Sequence, residues 1–282
     1  NEDAVLNIFK IKNRPQFNPI IIHVASINKM QEFVEYIPEK LLLLVKHFTP
    51  GPLTFLLPKK NIVPDLVTAG SDKVAVRIPN HRLTLSLLEQ LDFPLAAPSA
   101  NPFGYVSPTT AQHVFDSLHG LIPHILDGGD CKIGLESTII GFDENSKVIV
   151  HRIGGTSVED IEKVLTEKVI FDIAADKPSS PGQLKSHYAT NTPLYVGDVD
   201  SLLKTFESRK IAVISLSKVY PDAKTFMLSQ KQDINEAARN LFKTLRLLDK
   251  NDFEVILAEK FPDEGLGRAI NDRLARAQQK NK

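Results

Sequence analysis

Across 282 residues there is one cysteine, Cys131. A lone cysteine excludes an intramolecular disulfide and a cysteine-rich zinc site, and it fits a reducing compartment. No apolar run approaches the roughly 20 residues that a membrane-spanning helix needs, the longest obvious one being Leu41 to Val45. The visible amino terminus does not read as a signal peptide, so a cytoplasmic protein with no membrane partner is expected. An excess charge of either sign is also missing: Lys+Arg and Asp+Glu stand at 34 each, with a sequence pI near 7.3. No global field therefore draws the chain onto nucleic acid or anionic membrane, and any polyanion site must be local. The sequence has no G-x-x-x-x-G-K-[ST], no G-x-G-x-x-G after a strand and no H-E-x-x-H, so a bound nucleotide would need another scaffold. Internal repeats and low-complexity tracts are absent as well.

What is present is ordinary globular material, 42% hydrophobic and 24% charged, long enough for two cores at roughly 100 to 200 residues per domain. Its most informative stretch is Lys12-Asn13-Arg14-Pro15-Gln16-Phe17-Asn18-Pro19, which runs into Ile20-Ile21-Ile22 and His23. Two cations and a φ-locking proline at the mouth of a buried strand suit an anionic ligand. The alternative is a solvated basic turn. Arg77 lies inside the alternating Val74-Ala75-Val76-Arg77-Ile78-Pro79, where a guanidinium is costly unless an anion pairs with it. The alternative there is an edge strand with the charge in water or bridged to an acid. Ser99-Ala100-Asn101 follows the apolar Pro94 to Pro98, and polar groups at strand ends converge on one cleft in α/β proteins.

The pattern predicts helices at Ala4 to Ile11, across Asn28 to Phe48 with a break near Pro38, and at Arg82 to Leu91. Strands are predicted at Ile20 to Val24, Leu53 to Leu57, Val74 to Ile78, Leu95 to Ala97 and Ile122 to Leu126. Ser107-Pro108 marks a helix start, with serine capping and proline in the first turn. Ser137 to Ile140 and Val148 to Ile153 read as paired strands, and Ser157 caps a helix reaching Leu165. A connector rich in Pro, Ser, Gly, Lys and Thr follows from Ala174 to Pro193 and carries Gln183, Lys185, His187 and Tyr188. Beyond it, strands at Leu194 to Val199, Ile211 to Leu216, Phe226 to Leu228 and Val255 to Ala258 alternate with helices near Ser201 to Glu207, Asn235 to Leu248 and Gly267 to Gln278. That rhythm suggests a small parallel-sheet, Rossmann-like domain. Asp127-Gly128-Gly129-Asp130 reads as a turn, and Gly265-x-Gly267 as the entry to the last helix.

Lys12-x-Arg14, Pro50-Gly51-Pro52, Arg77-Ile78-Pro79, Ser99-Ala100-Asn101, Ser137-Thr138 and Arg152-x-Gly154-Gly155 occur in an order that resembles YrdC/Sua5 proteins. Ser180-Pro181-Gly182 with His187-Tyr188-Ala189 is similar to the Sua5 linker. Glu236 to Phe242 and Gly265 to Ile270 are similar to the Sua5 C-terminal domain. The resemblance spans nearly the whole chain and implies a YrdC-like twisted mixed-sheet α/β domain with an open cleft at 1–170, a linker at 171–193 and a smaller Rossmann-like Sua5 C-terminal domain at 194–282. It implies threonylcarbamoyl-AMP synthesis: threonine and bicarbonate or CO2 form a carbamate that attacks the α-phosphate of ATP and expels pyrophosphate. The product would serve tRNA t6A37 modification through separate transfer proteins.

On the family pattern Lys12 and Arg14 would be catalytic. His23, Arg77, Ser99 and Ser137 would hold threonine. Arg14, Asn18, Lys73, Asn101, Thr109, Arg152 and Tyr188 would contact ATP, with Mg2+ entering alongside the nucleotide and no metal ligated directly by protein. From the residues themselves, His23 could equally be a satisfied core histidine, Ser99 and Asn101 an Asx-type turn, Thr109 a first-turn residue, Ser137 a solvent-facing serine, and Tyr188 an aromatic docked on one domain. Family members usually begin with a strand and a Thr-x-Tyr-Gly-Leu-type segment, whereas this chain opens at Asn1-Glu2-Asp3-Ala4, so part of the threonine pocket is expected to lie outside this sequence. Asn13 stands where glycine is common, and asparagine tolerates positive φ well enough to keep the turn. Two other activities fit fewer of these features: an RNA-binding module using the basic cleft, with direct tRNA binding left open, and carbamoyl-phosphate-dependent carbamoyl transfer.

Overall fold

In the computed structural model, residues 1–173, 181 and 187–278 are described; Gln183 and Lys185 of the connector lie outside them. The chain forms two compact units. The first is Asn1–Ser99 with the described part of Glu136–Leu184, and the second is Ala100–Leu135 with the described part of Lys185–Lys282. Chain order runs α1 (Glu2–Lys12), β1 (Ile22–His23), α2 (Ile27–Phe33), α3 (Glu39–Phe48), β2 (Leu53–Pro58), α4 (Asp65–Thr68), β3 (Lys73–Arg77), α5 (Arg82–Glu89), β4 (Leu95–Ala96), α6 (Ala111–Leu118), β5 (Thr138–Phe142), β6 (Val148–Arg152), α7 (Val158–Leu165) and β7 (Ile170–Phe171). It continues with β8 (Leu194–Val196), α8 (Val199–Thr205), β9 (Ile211–Ser215), β10 (Lys224–Met227), α9 (Ile234–Lys250), β11 (Val255–Ala258) and α10 (Gly265–Gln278).

The strands of the first unit form one mixed sheet in the order β4-β1-β3-β2-β5-β6-β7. Its centre is β2, whose Leu53 to Leu57 are all buried. A strand covered on both faces reads as a continuous apolar run, and Leu-Thr-Phe-Leu-Leu is one but for its threonine. Helix α1 begins where the Asn1 side chain accepts from the Ala4 N–H, with Glu2 and Asp3 in the first turn and Lys10 and Lys12 in the last, all complementary to the helix dipole. It stops at Asn13, which takes the left-handed conformation at φ 53°, so asparagine does fill the glycine-like cap. Ser157 caps α7, its hydroxyl accepting from the Asp160 N–H.

In the second unit β10, β9, β11 and β8 pair in parallel throughout. Helix α9 lays Ala238, Leu241, Phe242 and Leu245 onto this sheet, where Ala212, Ile214 and Ile256 meet Ile270 and Leu274 of α10 in one core. Val106 and Tyr188 are buried in the same core. Among the described residues no helix is long and apolar enough to cross a membrane.

Three local expectations are corrected. Only Ile22–His23 of the run Ile20 to Val24 pairs as strand, because the Ile20 N–H goes to Val67 O instead. Ser107-Pro108 does not start a helix: Thr110 is the cap, its hydroxyl accepting from the His113 N–H, and α6 begins at Ala111. Residues 122–126 form no strand. Leu126 is 61% exposed, and β-propensity without a neighbouring strand does not make one.

Candidate active site

One register line crosses the sheet of the first unit. Leu95 pairs with His23, His23 with Arg77, Arg77 with Thr54, Thr54 with Ile139, and Ile139 with Arg152. Cross-strand partners point to the same face about 5 Å apart, so His23, Arg77, Thr54 and Arg152 project together. One pleat back on that face lie Ile21, Ala75 and Leu56, which cluster with Ile139 as an apolar floor. The polar row caps this floor at the sheet end where β1, β3 and β6 finish and β2 and β5 begin.

Arg77 sits on a central strand, between β1 and β2, so the edge-strand alternative is excluded. Its Nε donates to Gly51 O at 3.0 Å, and the Gly51 N–H donates to Ile78 O. Pro50-Gly51-Pro52 is thereby clamped along β3 as a wall. A Cβ on Gly51 would lie 2.1 Å from Phe48 O, so only glycine fits. His23 Nδ1 lies 3.3 Å from Leu95 O, which makes that nitrogen the donor and leaves Nε2 as acceptor. Burial first, and then the charge of Arg77, pushes the imidazole down to about 4, so it is neutral near pH 7.

Ser137 is 2% exposed, against the solvent-facing alternative. Its hydroxyl meets Thr54 Oγ1 at 2.7 Å and accepts from Arg152 Nη2 at 3.0 Å, while Arg152 Nε donates to Ser137 O and Nη1 to Pro181 O. Gly154 has a physical reason too: a Cβ there would lie 2.5 Å from the Ser137 carbonyl carbon.

A second cationic group surrounds the end of α1. Lys12 and Arg14 are 5% and 8% exposed, so the solvated-turn alternative fails. Lys12 Nζ donates to Ser99 O at 2.5 Å. Burial, and then the neighbouring charge of Arg14, pulls the Lys12 ammonium down to about 7. Arg14 Nη2 donates to Asn18 Oδ1 and to Pro19 O, both at 2.7 Å. That bond fixes the Asn18 amide with Nδ2 as its donor, and this buried Nδ2 has no partner among the described residues.

These bonds set the four cations against carbonyl, amide and hydroxyl oxygens, and a gathering of cations of this kind suits an anionic ligand.

Asn101 and Thr109 are in the second unit. The Asn101 amide donates to Pro102 O and Tyr105 O. The N–H of Thr109 donates to His113 Nδ1 at 3.2 Å, and its hydroxyl lies 3.3 Å from the same nitrogen.

Two predicted residues stand apart. Lys73 lies at the opposite end of β3, four residues and about 13 Å from Arg77, with its Nζ 5.5 Å from the centre of the Phe142 ring; the sheet register removes it from the group. Tyr188 is 1% exposed in the core of the second unit, stacked on Phe242 and beneath Arg273, so the docked-aromatic alternative is the one seen. Asp127 to Asp130 is a turn closed by the Gly129 N–H on Asp127 Oδ1, and among the described residues no three His, Cys, Asp or Glu converge as metal ligands.

Sequence reasoning gave no role to Thr54, His113 or Arg246. Thr54 was detectable as the one polar residue of an apolar strand. Arg246, 2% exposed, was detectable as a cation on the apolar face of α9.

A family model described as Telomere recombination (Sua5_yciO_yrdC) matches residues 1–154, and the model described as Threonylcarbamoyl-AMP synthase, C-terminal domain, matches residues 156–278. The chain is 41% identical to the threonylcarbamoyl-AMP synthase of Pyrococcus abyssi, covering 98% of this chain and 85% of that protein. It is 37% identical to the Bacillus subtilis protein of the same name, covering 98% and 84%. The crystal structure of P. abyssi Sua5 complexed with L-threonine superposes with a TM-score of 0.92 at 40% identity, covering 99% of this chain and 85% of that one.

Proposed function

This chain belongs to the Sua5/YrdC family, and on that premise we propose that it is a threonylcarbamoyl-AMP synthase, a nucleotidyltransferase that uses L-threonine, bicarbonate or CO2, and ATP. The observation that supports the reading is the gathering of Lys12, Arg14, Arg77 and Arg152 in the first unit, with Arg77 and Arg152 on one register line beside His23.

The chemistry requires that set. The amino nitrogen of threonine bonds to the carbon of CO2 and loses a proton; with bicarbonate as the source, a C–O bond breaks and water leaves. A carbamate oxygen then attacks the α-phosphorus of ATP, and the bond to the bridging oxygen of the β-phosphate breaks to release pyrophosphate. Negative charge grows on the phosphoryl oxygens and the leaving group, so fixed cations and N–H donors are the main catalytic resource. In this reading Arg77 clamps the threonine carboxylate, and His23, Ser99 and Ser137 contact the rest of the amino acid. Lys12, Arg14 and Arg152 face the phosphates, with Asn18, Asn101 and Thr109 on the nucleotide. Mg2+ arrives with the triphosphate. Residues 1–170 would form the catalytic domain, 171–193 the linker and 194–282 the C-terminal domain. The product passes in the cytoplasm to transfer proteins that modify position 37 of tRNA.

The test is pyrophosphate release from ATP, measured with threonine and bicarbonate each supplied or withheld. Release that needs both is expected. Release independent of threonine, or none at any threonine concentration, would overturn the reading; salt-sensitive RNA binding in its place would favour an RNA-binding module.

A further inference from the structure

Helix α9 of the C-terminal domain reaches residues that the sequence places in the catalytic domain. Arg246 projects from its apolar face and spreads four donor contacts over residues 106–117: Nη2 to Val106 O at 2.7 Å, Nε to Ser107 O at 3.2 Å, and Nη1 to His113 O at 3.4 Å and Ser117 Oγ at 3.2 Å. Its guanidinium also lies 4.9 Å from the centre of the Tyr105 ring. One turn further along α9, Asp249 accepts from the Tyr105 hydroxyl and from the N–H groups of Asn191 and Thr192. Two of the residues Arg246 touches, Tyr105 and His113, are each one hydrogen bond from a nucleotide-side residue. Tyr105 O accepts from the Asn101 amide, and His113 Nδ1 accepts from the Thr109 N–H.

We propose that Arg246 is a positioning residue for ATP, acting through His113 and Tyr105 to orient Thr109 and Asn101, so that the C-terminal domain builds part of the nucleotide site. This rests on the reading of Thr109 and Asn101 as nucleotide contacts given above.

The chemistry of the relay is specific. A backbone N–H can only donate, so His113 Nδ1 must be unprotonated to accept from Thr109. Burial first, then the positive charges of Arg246 and Lys250, hold the imidazole below its ordinary range, against Asp116. The same arginine thus fixes the backbone of His113 and favours its accepting form. Lysine could not substitute, because a point charge with three donors does not match a planar fork spread over four acceptors.

Steady-state kinetics of the full chain, with KM measured separately for ATP and threonine, tests this. Arg246→Gln and His113→Leu are expected to raise KM for ATP roughly tenfold, a loss of the size that misplacement of a binding group produces, with KM for threonine within twofold of wild type. His113→Asn keeps an acceptor near the Nδ1 position and is expected to recover most of the loss. Equal rises in both constants would mean a merely structural arginine and overturn the proposal.

Thr109→Ala separates the two layers of the argument. If it leaves KM for ATP unchanged, the nucleotide assignment of Thr109 is wrong and the proposal falls with it. If it raises that constant while Arg246→Gln and His113→Leu do not, the assignment stands and the positioning role is refuted. Should Arg246→Gln not fold, nitrogen NMR of the wild-type imidazoles at pH 7 decides: an unprotonated Nδ1 on His113 is expected, and a protonated one refutes the relay.

Discussion

A guanidinium held inside a sheet is tolerated when its donors are satisfied and its charge is answered. Arg77 places one donor on Gly51 O and stands in the polar row, where the proposed function puts the threonine carboxylate. Arg77→Ala should therefore raise KM for threonine about 10- to 150-fold, the equivalent of the roughly 1.5–3 kcal/mol of a charge-assisted hydrogen bond; unchanged threonine kinetics would remove it from the site. Arg14→Ala, by contrast, should act on ATP binding or turnover, and comparing the two constants in both variants checks the assignment. Lys12 yields a proton-linked prediction. With its ammonium pulled down to about 7, the free protein at pH 8 holds it mostly neutral, and a polyanion beside it raises the pKa again. ATP binding at pH 8 should take up a fraction of a proton approaching one. Calorimetry in two buffers of different ionisation enthalpy measures this, and Lys12→Met should abolish the uptake. His23 has the opposite experimental window. Its folded value near 4 lies below the ordinary 6.5, so between those values the unfolded chain binds more protons and stability falls as pH drops. Urea midpoints from pH 7 to pH 4 should show that slope, and His23→Gln should remove its share of it.

Elements carry the next level of constraint. The Arg152-x-Gly154-Gly155 motif ends β6 with Arg152 on Ser137 and then passes so close to the Ser137 backbone that a Cβ at Gly154 has no room. Because the obstacle is backbone rather than a flexible side chain, Gly154→Ala should cost about 1–3 kcal/mol and loosen Ser137. A lowered urea midpoint together with weaker threonine binding is expected, and a neutral effect on both would show that the strand entrance relaxes freely. At this scale the sequence was legible where a local signal was complete. Ser157 followed by an amphipathic stretch made α7, and Asn13 made the α1 cap. Ser107-Pro108 carried the same kind of signal and did not make a helix start, because Arg246 holds the carbonyl of Ser107 and Thr110 supplies a competing cap three residues after it.

For the whole molecule, chain order and packing diverge. Residues 100–135 lie within the span of the first family model yet belong to the compact unit of the C-terminal domain. Native-state hydrogen exchange should accordingly show α6 opening together with α9 rather than with β2 and β3; coincidence with β2 would contradict that grouping. The expected threonine contacts His23, Arg77, Ser99 and Ser137 all lie in the first unit, whereas of the expected nucleotide contacts Arg14, Asn18, Lys73 and Arg152 lie in the first and Asn101, Thr109 and Tyr188 in the second.

The order of the motifs carried the family resemblance, and local chemistry announced the α/β class, the parallel C-terminal sheet and the candidate cations, because period, caps and polar residues in apolar runs are properties of short stretches of chain. Pairing register lay beyond its reach. It is register that sets His23, Arg77, Thr54 and Arg152 on one line and leaves Lys73, on the same strand and face as Arg77, about 13 Å away. Burial was equally out of reach for Tyr188, whose ring is absorbed into a core with Val106, Phe242 and Ile270, each more than fifty positions away. The role of Arg246 depends on carbonyl groups more than a hundred residues away in sequence. An arginine on an apolar helix face shows that a partner must exist, and only the folded chain shows which one, since long-range contacts arise from packing rather than from any local signal.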